Sequence, residues 1–325
     1  MAHPTILDVA KQAYVSRSTA ALALSGRADK VSPETRDRVI AAATALGYRP
    51  NPAGNALRKG SGGEIAFVYH ELSEFEMEYG AGQMWARFAM RLGMDLGKAG
   101  YRLLMLSKSE LGADPLATTG VLAFAEPDGR VLLPQLPFGT PVWVASAGDT
   151  GGPFARITHD FPLIARQVVN YVCDGDVPEE APISRIVMCI RAVEDPPFTY
   201  AMEEALHELL ATTNIELTTV RIDPRQSAED TSRALDLDTN TDAILCWGVA
   251  PARAPQMAEA IACPPKIVAF CENELPNDFS ADTAHVSFRI DDAAQQIAAA
   301  IVETIGGVPH RDVTLSHTFS HANHD

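Results

Sequence analysis

Three side chains that can hydrogen-bond to nucleic-acid bases stand together near the start of the chain. Arg17, Ser18 and Thr19 follow Ser16, which predicts the N-cap of a short helix over 17–25. Arginine can pair bidentately with N7 and O6 of guanine, and serine can hydrogen-bond to several base edges. Side chains at the start of a short helix reach these edges when the helix enters the major groove. The segment therefore predicts sequence-specific recognition of double-stranded DNA.

Two more helices are predicted on either side of this segment and would hold it in place. Thr5 can cap a first helix, which a tight turn at 14–15 separates from the second. Ser32 can cap a third helix that ends at Gly47, because glycine accepts the left-handed conformation at a helix end. The first and third helices carry apolar residues at helical spacing: Ile6, Val9, Ala10 and Ala13, then Val39, Ile40, Ala43 and Leu46. The pattern predicts an all-α helix-turn-helix head over residues 1–50.

Charge separates this head from the rest of the chain. Residues 1–60 hold nine Lys and Arg residues against four Asp and Glu residues, a formal charge of +5. The whole chain of 325 residues carries −16, which leaves −21 for residues 61–325. A basic head attracts phosphate groups, whereas an acidic body repels them and limits nonspecific binding. Double-stranded DNA is therefore the predicted partner of the head alone.

Residues 51–62 are predicted to form a hinge between the head and the body. Pro52 can start a short helix over 53–58, after which glycines release the chain. A helix of this length is marginal alone in water, so it would form only against a second copy and DNA. A plain flexible linker is the alternative interpretation.

Residues 63–325 alternate apolar strands with helices. The predicted strands are 64–70, 101–107, 120–125, 141–146, 185–192, 216–222, 243–248, 265–271 and 285–290, and the predicted helices are 84–100, 161–175, 199–213 and 291–307. Near-continuous apolar strands separated by helices indicate parallel sheets that are covered on both faces. Two such halves enclose a cleft at the carboxyl ends of their strands, where small molecules bind. The last helix is expected to return the chain to the first half.

The body shows no motif of nucleophilic, metal-dependent or nucleotide-dependent catalysis. The sequence lacks the GxSxG, P-loop, HExxH and GxGxxG patterns. His70 and Glu71 follow the first strand and could act as acid and base. Adjacent polar residues after a strand more often bind a ligand or meet solvent. The chain is therefore predicted not to be an enzyme and to need no cofactor.

Cysteine spacing and hydropathy place further limits on the chain. Its five cysteines show neither CxxC nor metal-ligand spacing, so core packing is their expected role. His317, His321 and His324 could bind a metal, and a frayed tail explains them equally well. No run of eighteen apolar residues exists, and the N-terminus lacks the apolar core of a signal peptide. The sequence therefore predicts no membrane partner and a cytoplasmic location.

Two stretches of the chain follow each other in a specific order. They are TILDVAKQAYVSRSTAALALSG and VSPETRDRVIAAATALGYRPNPAGNALRKG, which together run from residue 5 to residue 60. They resemble the head and hinge of the lactose-repressor (LacI/GalR) family of transcription regulators nearly without gaps, and after residue 63 the resemblance rests on the order of elements. The resemblance implies a periplasmic-binding-protein-like α/β body of two Rossmann-like subdomains interleaved along 63–325. It also implies a homodimer on a pseudo-palindromic DNA operator.

The resemblance assigns roles to residues of the head and hinge. Arg17 and Ser18 would contact base edges, whereas a larger set would hold the DNA backbone. This set is Thr5, Ser16, Thr19, Lys30, Ser32, Thr35, Tyr48 and Asn51. In the hinge, Ala53, Gly54 and Leu57 would lie at the minor groove, with Leu57 as an apolar wedge that bends the DNA. Gly54 stands where the family usually has alanine, which lowers the helicity of the hinge.

The recognition segment departs from the family at three positions. Leu22 stands where the family commonly has arginine, Ala21 where it has serine, and Ser25 where it has asparagine. Leucine cannot donate to guanine but can pack against the methyl group of thymine. If Leu22 faces the groove, the operator should carry an A·T pair where relatives carry G·C. The alternative is that Leu22 turns inward and packs against the third helix.

The predicted cleft departs from the sugar-binding pattern of the family. Gly248 and Val249 replace an asparagine–aspartate pair, Cys271 replaces a pocket aspartate, and 197–200 replaces an arginine. These changes remove hydrogen-bond partners that a polyol needs. The effector-binding candidates are His70, Glu71, Phe75, Tyr200, Trp247, Glu272 and Arg289. Each of them is equally well explained as packing or as part of a solvated loop. An aromatic or cationic effector, or none, fits better than a typical sugar.

The residues and the resemblance together predict a DNA-binding transcription regulator, a repressor, modulated by a small molecule in its cleft. The segment 84–94 carries apolar residues on more than one face. It is the candidate dimer surface, although core packing explains most of it. The alternative is a DNA-binding regulator whose body is a ligand-independent module for dimerisation and protein interaction.

Overall fold

The computed structural model of the chain consists of three short helices followed by two α/β halves. The structure describes residues 4–24, 30–48, 63–69, 81–112, 116, 118–125, 130–146, 152–174, 183–191, 197–223, 226, 227, 230, 233, 241–247, 265–271 and 283–321. Within these ranges, no helix is long and apolar enough to cross a membrane.

The head consists of three helices whose ends are set by local sequence. They are α1 (Ile6–Gln12), α2 (Arg17–Leu24) and α3 (Pro33–Leu46). At the start of α1, the N–H and the hydroxyl of Thr5 both donate to the Asp8 carboxylate, at 2.8 and 2.7 Å. Between α1 and α2 the chain turns at Tyr14, which has a φ of +54°. Gly47 ends α3 with a φ of +64°, a conformation that a glycine adopts without steric strain.

The three helices enclose one small core, which we call the head core. Its buried residues are Val9, Ala10, Ala13, Ala20, Ala23, Leu24, Val39, Ala42 and Ala43. The Nε of Arg38 on α3 donates to the carbonyl of Ala13 at the end of α1, over 3.0 Å. Small side chains let the three helices approach closely. The recognition helix contacts α1 and α3 through the face that carries Ala20, Ala23 and Leu24.

The first half of the body, the N-subdomain, is a six-stranded parallel sheet with two packed helices. Its strands are β1 (Glu64–Tyr69), β2 (Arg102–Ser107), β3 (Gly120–Phe124), β4 (Val142–Ala145), β5 (Ala155–His159) and β11 (Val313–Leu315), in the order β11-β5-β4-β3-β1-β2. Helices α4 (Ala81–Lys98) and α7 (Ile290–Ile305) contribute to the same core as these strands. Arg87 of α4 donates two hydrogen bonds to Asp291 of α7, at 2.8 and 2.6 Å, which ties the two helices together.

The second half, the C-subdomain, repeats this architecture. Its strands are β6 (Arg185–Arg191), β7 (Glu216–Ile222), β8 (Ala243–Trp247), β9 (Lys266–Cys271), β10 (Thr283–Ser287) and β12 (Thr318–Ser320), in the order β12-β10-β9-β8-β6-β7. Neighbouring strands are parallel except β12, which runs antiparallel to β10. Helices α5 (Phe161–Val172) and α6 (Pro197–Leu210) pack on one face of the sheet.

The chain passes between the two subdomains three times. It leaves the N-subdomain sheet after β5 to begin α5, and it returns from β10 to α7. It crosses again between β11 and β12 at 316–317. These three crossovers place the carboxyl ends of β5 and β10 near the boundary of the subdomains, where ligands bind in open α/β sheets.

The predicted fold class is confirmed: a helical helix-turn-helix head precedes a periplasmic-binding-protein-like body of two parallel-sheet subdomains. The strand predicted over 285–290 is wrong in its second half, because β10 ends at Ser287. Arg289 has a φ of +47° and stands at the N-cap of α7, so the extended backbone cannot continue through it. Strands β5, β11 and β12 were not predicted. The last predicted helix is followed by β11 and β12 and is therefore not the last element.

The segment after α7 is part of the fold. His317 Nε2 lies 2.8 Å from the Gln167 side-chain oxygen on α5, and the His321 ring lies 5.1 Å from that of Tyr171. These contacts show that a frayed tail is wrong for His317 and His321, whereas His324 lies outside the described residues. In the part of the chain that the structure describes, no group of three or more metal-ligating side chains comes together.

Candidate functional site

The Ser16 side chain shapes the start of the recognition helix. Its Oγ accepts the backbone N–H of Thr19 at 3.0 Å and lies 2.8 Å from the hydroxyls of Ser18 and Thr19. These bonds fix the first turn of α2, while Arg17 and Ser18 remain exposed. The opposite face of the helix is buried in the head core through Ala20. The two side chains that the sequence assigns to base contacts therefore lie on the solvent face of a capped helix.

Leu22 lies at the border of this exposed face. Its side chain is half-buried, and the neighbouring Ala21 is exposed. The half-buried apolar side chains packed on the head core, among the described residues, are Ile6, Val15, Val31, Ile40, Leu46, Tyr48 and Phe138. Leu22 is not named in that set, and the choice between facing the groove and packing against α3 stays a prediction. The base preference itself stays a prediction.

The residues predicted to hold the DNA backbone lie mainly at helix N-termini. Thr5 precedes α1 and Ser16 caps α2, while the Ser32 Oγ accepts the N–H of Thr35 at 3.3 Å to cap α3. Lys30 is exposed just before α3. Helix N-termini carry partial positive charge that attracts phosphate groups. The arrangement can therefore present several helix N-termini with hydroxyl side chains, and one ammonium group, to a phosphate backbone.

Four aromatic rings meet where the first two crossovers leave their strands. His159 ends β5, and the centre of its ring lies 5.9 Å from that of Phe161 at the start of α5. The same ring lies 5.5 Å from Phe198 of α6 and 4.8 Å from Phe288, which follows β10. Edge-to-face arrangements at these separations add to the free energy of burying the rings. The crossovers are therefore joined by side-chain packing as well as by backbone.

The same set of rings continues into the C-subdomain. Trp247 ends β8, and its ring centre lies 4.9 Å from that of Phe270 and 5.1 Å from that of Phe288. Phe198 packs against the cores of both subdomains. We call these residues the hinge ring cluster: His159, Phe161, Phe198, Trp247, Phe270 and Phe288. The boundary between the subdomains is thus apolar and aromatic in the described part of the chain.

Two polar atoms are buried in or beside this cluster. Burial lowers the pKa of His159 to about 4, and the charge of nearby His317 acts in the same direction. In the described residues, His159 Nδ1 and Thr199 Oγ1 have no hydrogen-bond partner. Buried polar atoms are nearly always hydrogen-bonded in folded proteins, and an unmet one weakens the fold. A ligand that placed a hydrogen-bonding group at either atom would therefore gain binding free energy.

The structure separates the described effector candidates. Trp247 belongs to the hinge ring cluster, and its role in effector binding stays a prediction. Arg289 lies at the second crossover, and its Nε is 2.6 Å from Asp292. Tyr200 is 42% exposed beneath the Arg221 guanidinium, which lies 5.8 Å from its ring centre on edge strand β7. The structure brings Trp247 to the rings between the subdomains and does not bring Tyr200 there.

The other predicted site residues lie outside the described part of the chain. For the effector they are His70, Glu71, Phe75 and Glu272, and for DNA they are Asn51, Ala53, Gly54 and Leu57.

Five members of the hinge ring cluster were missed by sequence reasoning: His159, Phe161, Phe198, Phe270 and Phe288. Strand β5 was not predicted, so nothing placed His159 at a strand end. Phe288 was assigned to the interior of a longer strand. One sequence feature could have indicated them: aromatic residues recur where strands end and helices begin. In open α/β sheets ligands bind at the carboxyl ends of the strands.

Known proteins with similar sequences are bacterial transcription regulators. A model of the family described as bacterial regulatory proteins, lacI family, matches residues 5–51. The HTH-type transcriptional regulator GalS of Salmonella typhimurium is 46% identical over 70 residues, which cover 22% of this chain and 20% of that protein. The sucrose operon repressor of Klebsiella pneumoniae is 27% identical over 162 residues, 49% of this chain and 42% of the relative. These matches span between a fifth and two fifths of the relatives' own length.

A shorter relative is matched over more of its length. The maltose regulon regulatory protein MalI of Vibrio furnissii is 33% identical over 102 residues, 31% of this chain and 67% of that relative.

Solved structures match nearly the whole chain at low sequence identity. The transcriptional regulator CelR–cellobiose complex aligns with a TM-score of 0.54 at 16% identity, over 98% of both chains. The lac repressor dimer bound to operator and the anti-inducer ONPF aligns with a TM-score of 0.57 at 14% identity, also over 98% of both. At such identities these structures establish the fold of the body. The MalI relative of Vibrio furnissii and the matched head show that this chain belongs to the lacI family of bacterial regulatory proteins.

Proposed function

We propose that this chain is a sequence-specific transcription repressor that binds a pseudo-palindromic operator as a homodimer. The observation that carries the proposal is the capped α2, which holds Arg17 and Ser18 exposed on a basic head. Relatives named as operon repressors and regulators support the same function. The proposal includes the division into a head over 1–50, a hinge over 51–62 and a body over 63–325. It also includes a location in the cytoplasm, where bacterial DNA lies, and a body without catalytic activity.

Selection of bound sequences from random duplex DNA tests this function directly. The full chain should enrich one pseudo-palindromic sequence, because two short helices together read enough base pairs for specificity. Affinity for that duplex should fall linearly with salt on logarithmic axes, since phosphate binding releases counterions. Enrichment of no sequence, or equal affinity for scrambled duplexes, would rule out a sequence-specific regulator.

The same selection tests the base preference that Leu22 confers. Leu22 lies on the recognition helix and is half-buried, and a leucine side chain that faces the groove can contact a thymine methyl group. We expect an A·T pair at this position of each half-site, and Leu22→Arg should shift the preference to G·C. Guanine selected there by the wild-type chain would show that Leu22 does not read this base pair.

A surface for the second copy is offered by α4 and the adjacent edge strand. Met90 and Met94 on α4 are 65% and 56% exposed, and Met105 on β2 is 45% exposed. Residues four apart lie on one face of a helix, and β2 is the outer strand of its sheet. Three exposed methionines at one sheet edge fit an apolar dimer contact better than a solvated surface.

Sedimentation tests this surface. The wild-type chain should be dimeric at micromolar concentration, and Met94→Lys should shift it toward monomer. Leu163→Lys on α5 is the matched control, because Leu163 is 42% exposed away from this edge. A monomeric wild-type chain, or a Met94→Lys dimer of undiminished affinity, would exclude this surface.

We further propose that the cleft takes a planar aromatic effector rather than a polyol. The support lies in the rings of Phe198, Trp247 and Phe288 at the boundary, with unmet polar atoms on His159 and Thr199. Flat ligands stack on such rings, while a few polar atoms fix their orientation. A thermal-shift screen of purines, aromatic acids, sugars and amines tests this. A ligand at 100 times its Kd raises the unfolding free energy by about 2.7 kcal/mol.

One observation favours a second candidate, a body that works without a ligand. Phe198 already packs against both subdomain cores, so the rings can hold the two halves together by themselves. In that case no compound in the screen shifts the melting temperature. Phe198→Ala would then loosen the boundary in a way that no ligand reverses.

A further inference from the structure

The turn at 137–140 of the N-subdomain touches the DNA-reading head. The phenyl ring of Phe138 packs on the head core, whose other described members all lie within residues 6–48. Its backbone N–H donates to the carbonyl of Leu24, the last residue of the recognition helix, at 3.1 Å. One residue of the body thus makes both an apolar and a polar contact with the head.

The polar contact completes the end of the recognition helix. The last carbonyls of an α-helix have no partner within the helix and need donors from elsewhere. Leu24 is 4% exposed, so water has little access to this end of α2. The Phe138 N–H supplies a donor there. The body therefore provides part of the C-terminal cap of the helix that would read DNA.

The segment that carries Phe138 is closed by hydrogen bonds and anchored in the body. The N–H and hydroxyl of Thr140 both donate to the carbonyl of Pro137, at 3.2 and 2.8 Å, which closes a β-turn. Gly139 has a φ of +78°, as a type II turn requires at its third residue. The carbonyl of Gln135 accepts the N–H of Leu116 at 2.9 Å. Phe138 thus stands at the tip of a turn that is held by hydrogen bonds within the body, which limits the entropy lost when it docks.

The docked head keeps its reading surface open. Arg17 and Ser18 remain exposed at the N-terminal end of α2, whereas Phe138 contacts the C-terminal end. Docking and base contact therefore use opposite ends of the same helix. The two contacts that Phe138 makes with the described residues of the head involve no charged side chain, so the salt that weakens DNA binding does not directly weaken them.

We infer that the turn 137–140 is a docking element by which the body holds and orients its own DNA-reading head. The element acts as a positioning device: it lowers the entropy that the head loses when it binds the operator. This inference rests on the proposed function, because it assigns operator binding to the head. The partner is the end of α2 together with the head core of the same chain.

The test compares Phe138→Ala with the wild-type full chain, with Leu132→Ala as the matched control. Leu132 lies in the same connection, is 42% exposed, and is outside the side chains packed on the head core. Hydrogen exchange followed by mass spectrometry should show faster exchange in α2 and α3 of Phe138→Ala, with the body strands unchanged. Phe138→Leu, which keeps an apolar side chain, should restore most of the protection.

Operator affinity provides the second measurement, on the duplex selected by the wild-type chain. Phe138→Ala should bind it roughly tenfold more weakly, and Leu132→Ala should bind it like the wild type. Unchanged exchange in the head would overturn the docking element, and so would equal or tighter operator binding by Phe138→Ala. A wild-type chain that selects no DNA sequence would refute the proposed function instead. The exchange measurement would still decide whether the head is docked.

Discussion

The head core and the hinge ring cluster are built from opposite kinds of side chain. Six of the nine buried residues of the head core are alanine, whereas the hinge ring cluster holds five aromatic side chains and one histidine. An aromatic side chain buries about 150–250 Å², several times what an alanine methyl group can. The head is therefore held by many small contacts, caps and turns, and the boundary by a few large contacts. Single substitutions should accordingly lower the free energy of unfolding slightly in the head and strongly at the boundary.

The largest expected effect lies at the boundary. Phe288→Ala removes a ring that lies near His159, Trp247 and Phe270. Truncation of a buried phenylalanine lowers the free energy of unfolding by about 3–5 kcal/mol. Denaturant unfolding followed by tryptophan fluorescence measures this loss. Leu163→Ala on the exposed face of α5 should change it by less than about 0.5 kcal/mol. Equal stability of the two variants would contradict the large contribution of the boundary rings to stability.

Acid should weaken the boundary through His159. Its pKa is about 4 in the folded chain, below the ordinary 6.5, so the unfolded chain binds more protons between these pH values. The free energy of unfolding is therefore undiminished above pH 6.5 and falls as the pH drops toward 4. The fall attributable to this residue is roughly 3 kcal/mol. His159→Gln should flatten the pH dependence, and an identical slope in both proteins would show that His159 is not its source.

In the head, the strongest single effect should appear in DNA binding and not in folding. Arg17→Ala removes an exposed side chain, so the melting temperature should not change. Operator binding should weaken by about 1–3 kcal/mol, and the preference at one base pair of each half-site should relax. Binding titrations on the selected duplex and on single-base variants measure both effects. A uniform loss over all sequences would reassign Arg17 to the DNA backbone.

The smallest expected effect is the loss of a cap in the head. Ser32→Ala removes the oxygen that accepts the Thr35 N–H at the start of α3. Such a change lowers stability by about 1 kcal/mol. Hydrogen exchange in α3 measures the loss locally. Thr44→Ala, near the other end of the same helix, should be neutral or slightly stabilising, because alanine has the higher helix propensity. A Ser32→Ala loss as large as that of Phe288→Ala would remove the contrast.

The two regions also differ in how far the sequence predicts them. The ends of the head helices follow from Thr5, Ser16, Ser32 and Gly47, whose effects act within a few residues. The alternation of strands and helices in the body follows from apolar runs, because buried parallel strands are apolar on both faces. Family, fold class and recognition helix were therefore accessible from local patterns.

The boundary was less accessible because it depends on residues that are distant in sequence. Strands β11 and β12 are three residues each and exist through pairing with β5 and β10. The left-handed Arg289 breaks a strand pattern that its own neighbourhood would continue. His159 and Phe288 meet only because two crossovers lie side by side. Trp247 was predicted as a cleft residue, and its ring partners needed the structure.

The three crossovers have a consequence for how such a gene can be divided. The head is one uninterrupted stretch, so a single recombination junction after α3 can exchange it for another. The N-subdomain is not, because α7 and β11 complete its core and its sheet from the far end of the chain. A stop codon anywhere before residue 290 would therefore damage the first half of the body as well as remove the end of the second. New specificities can be acquired by head exchange, whereas the two halves of the body must be inherited together.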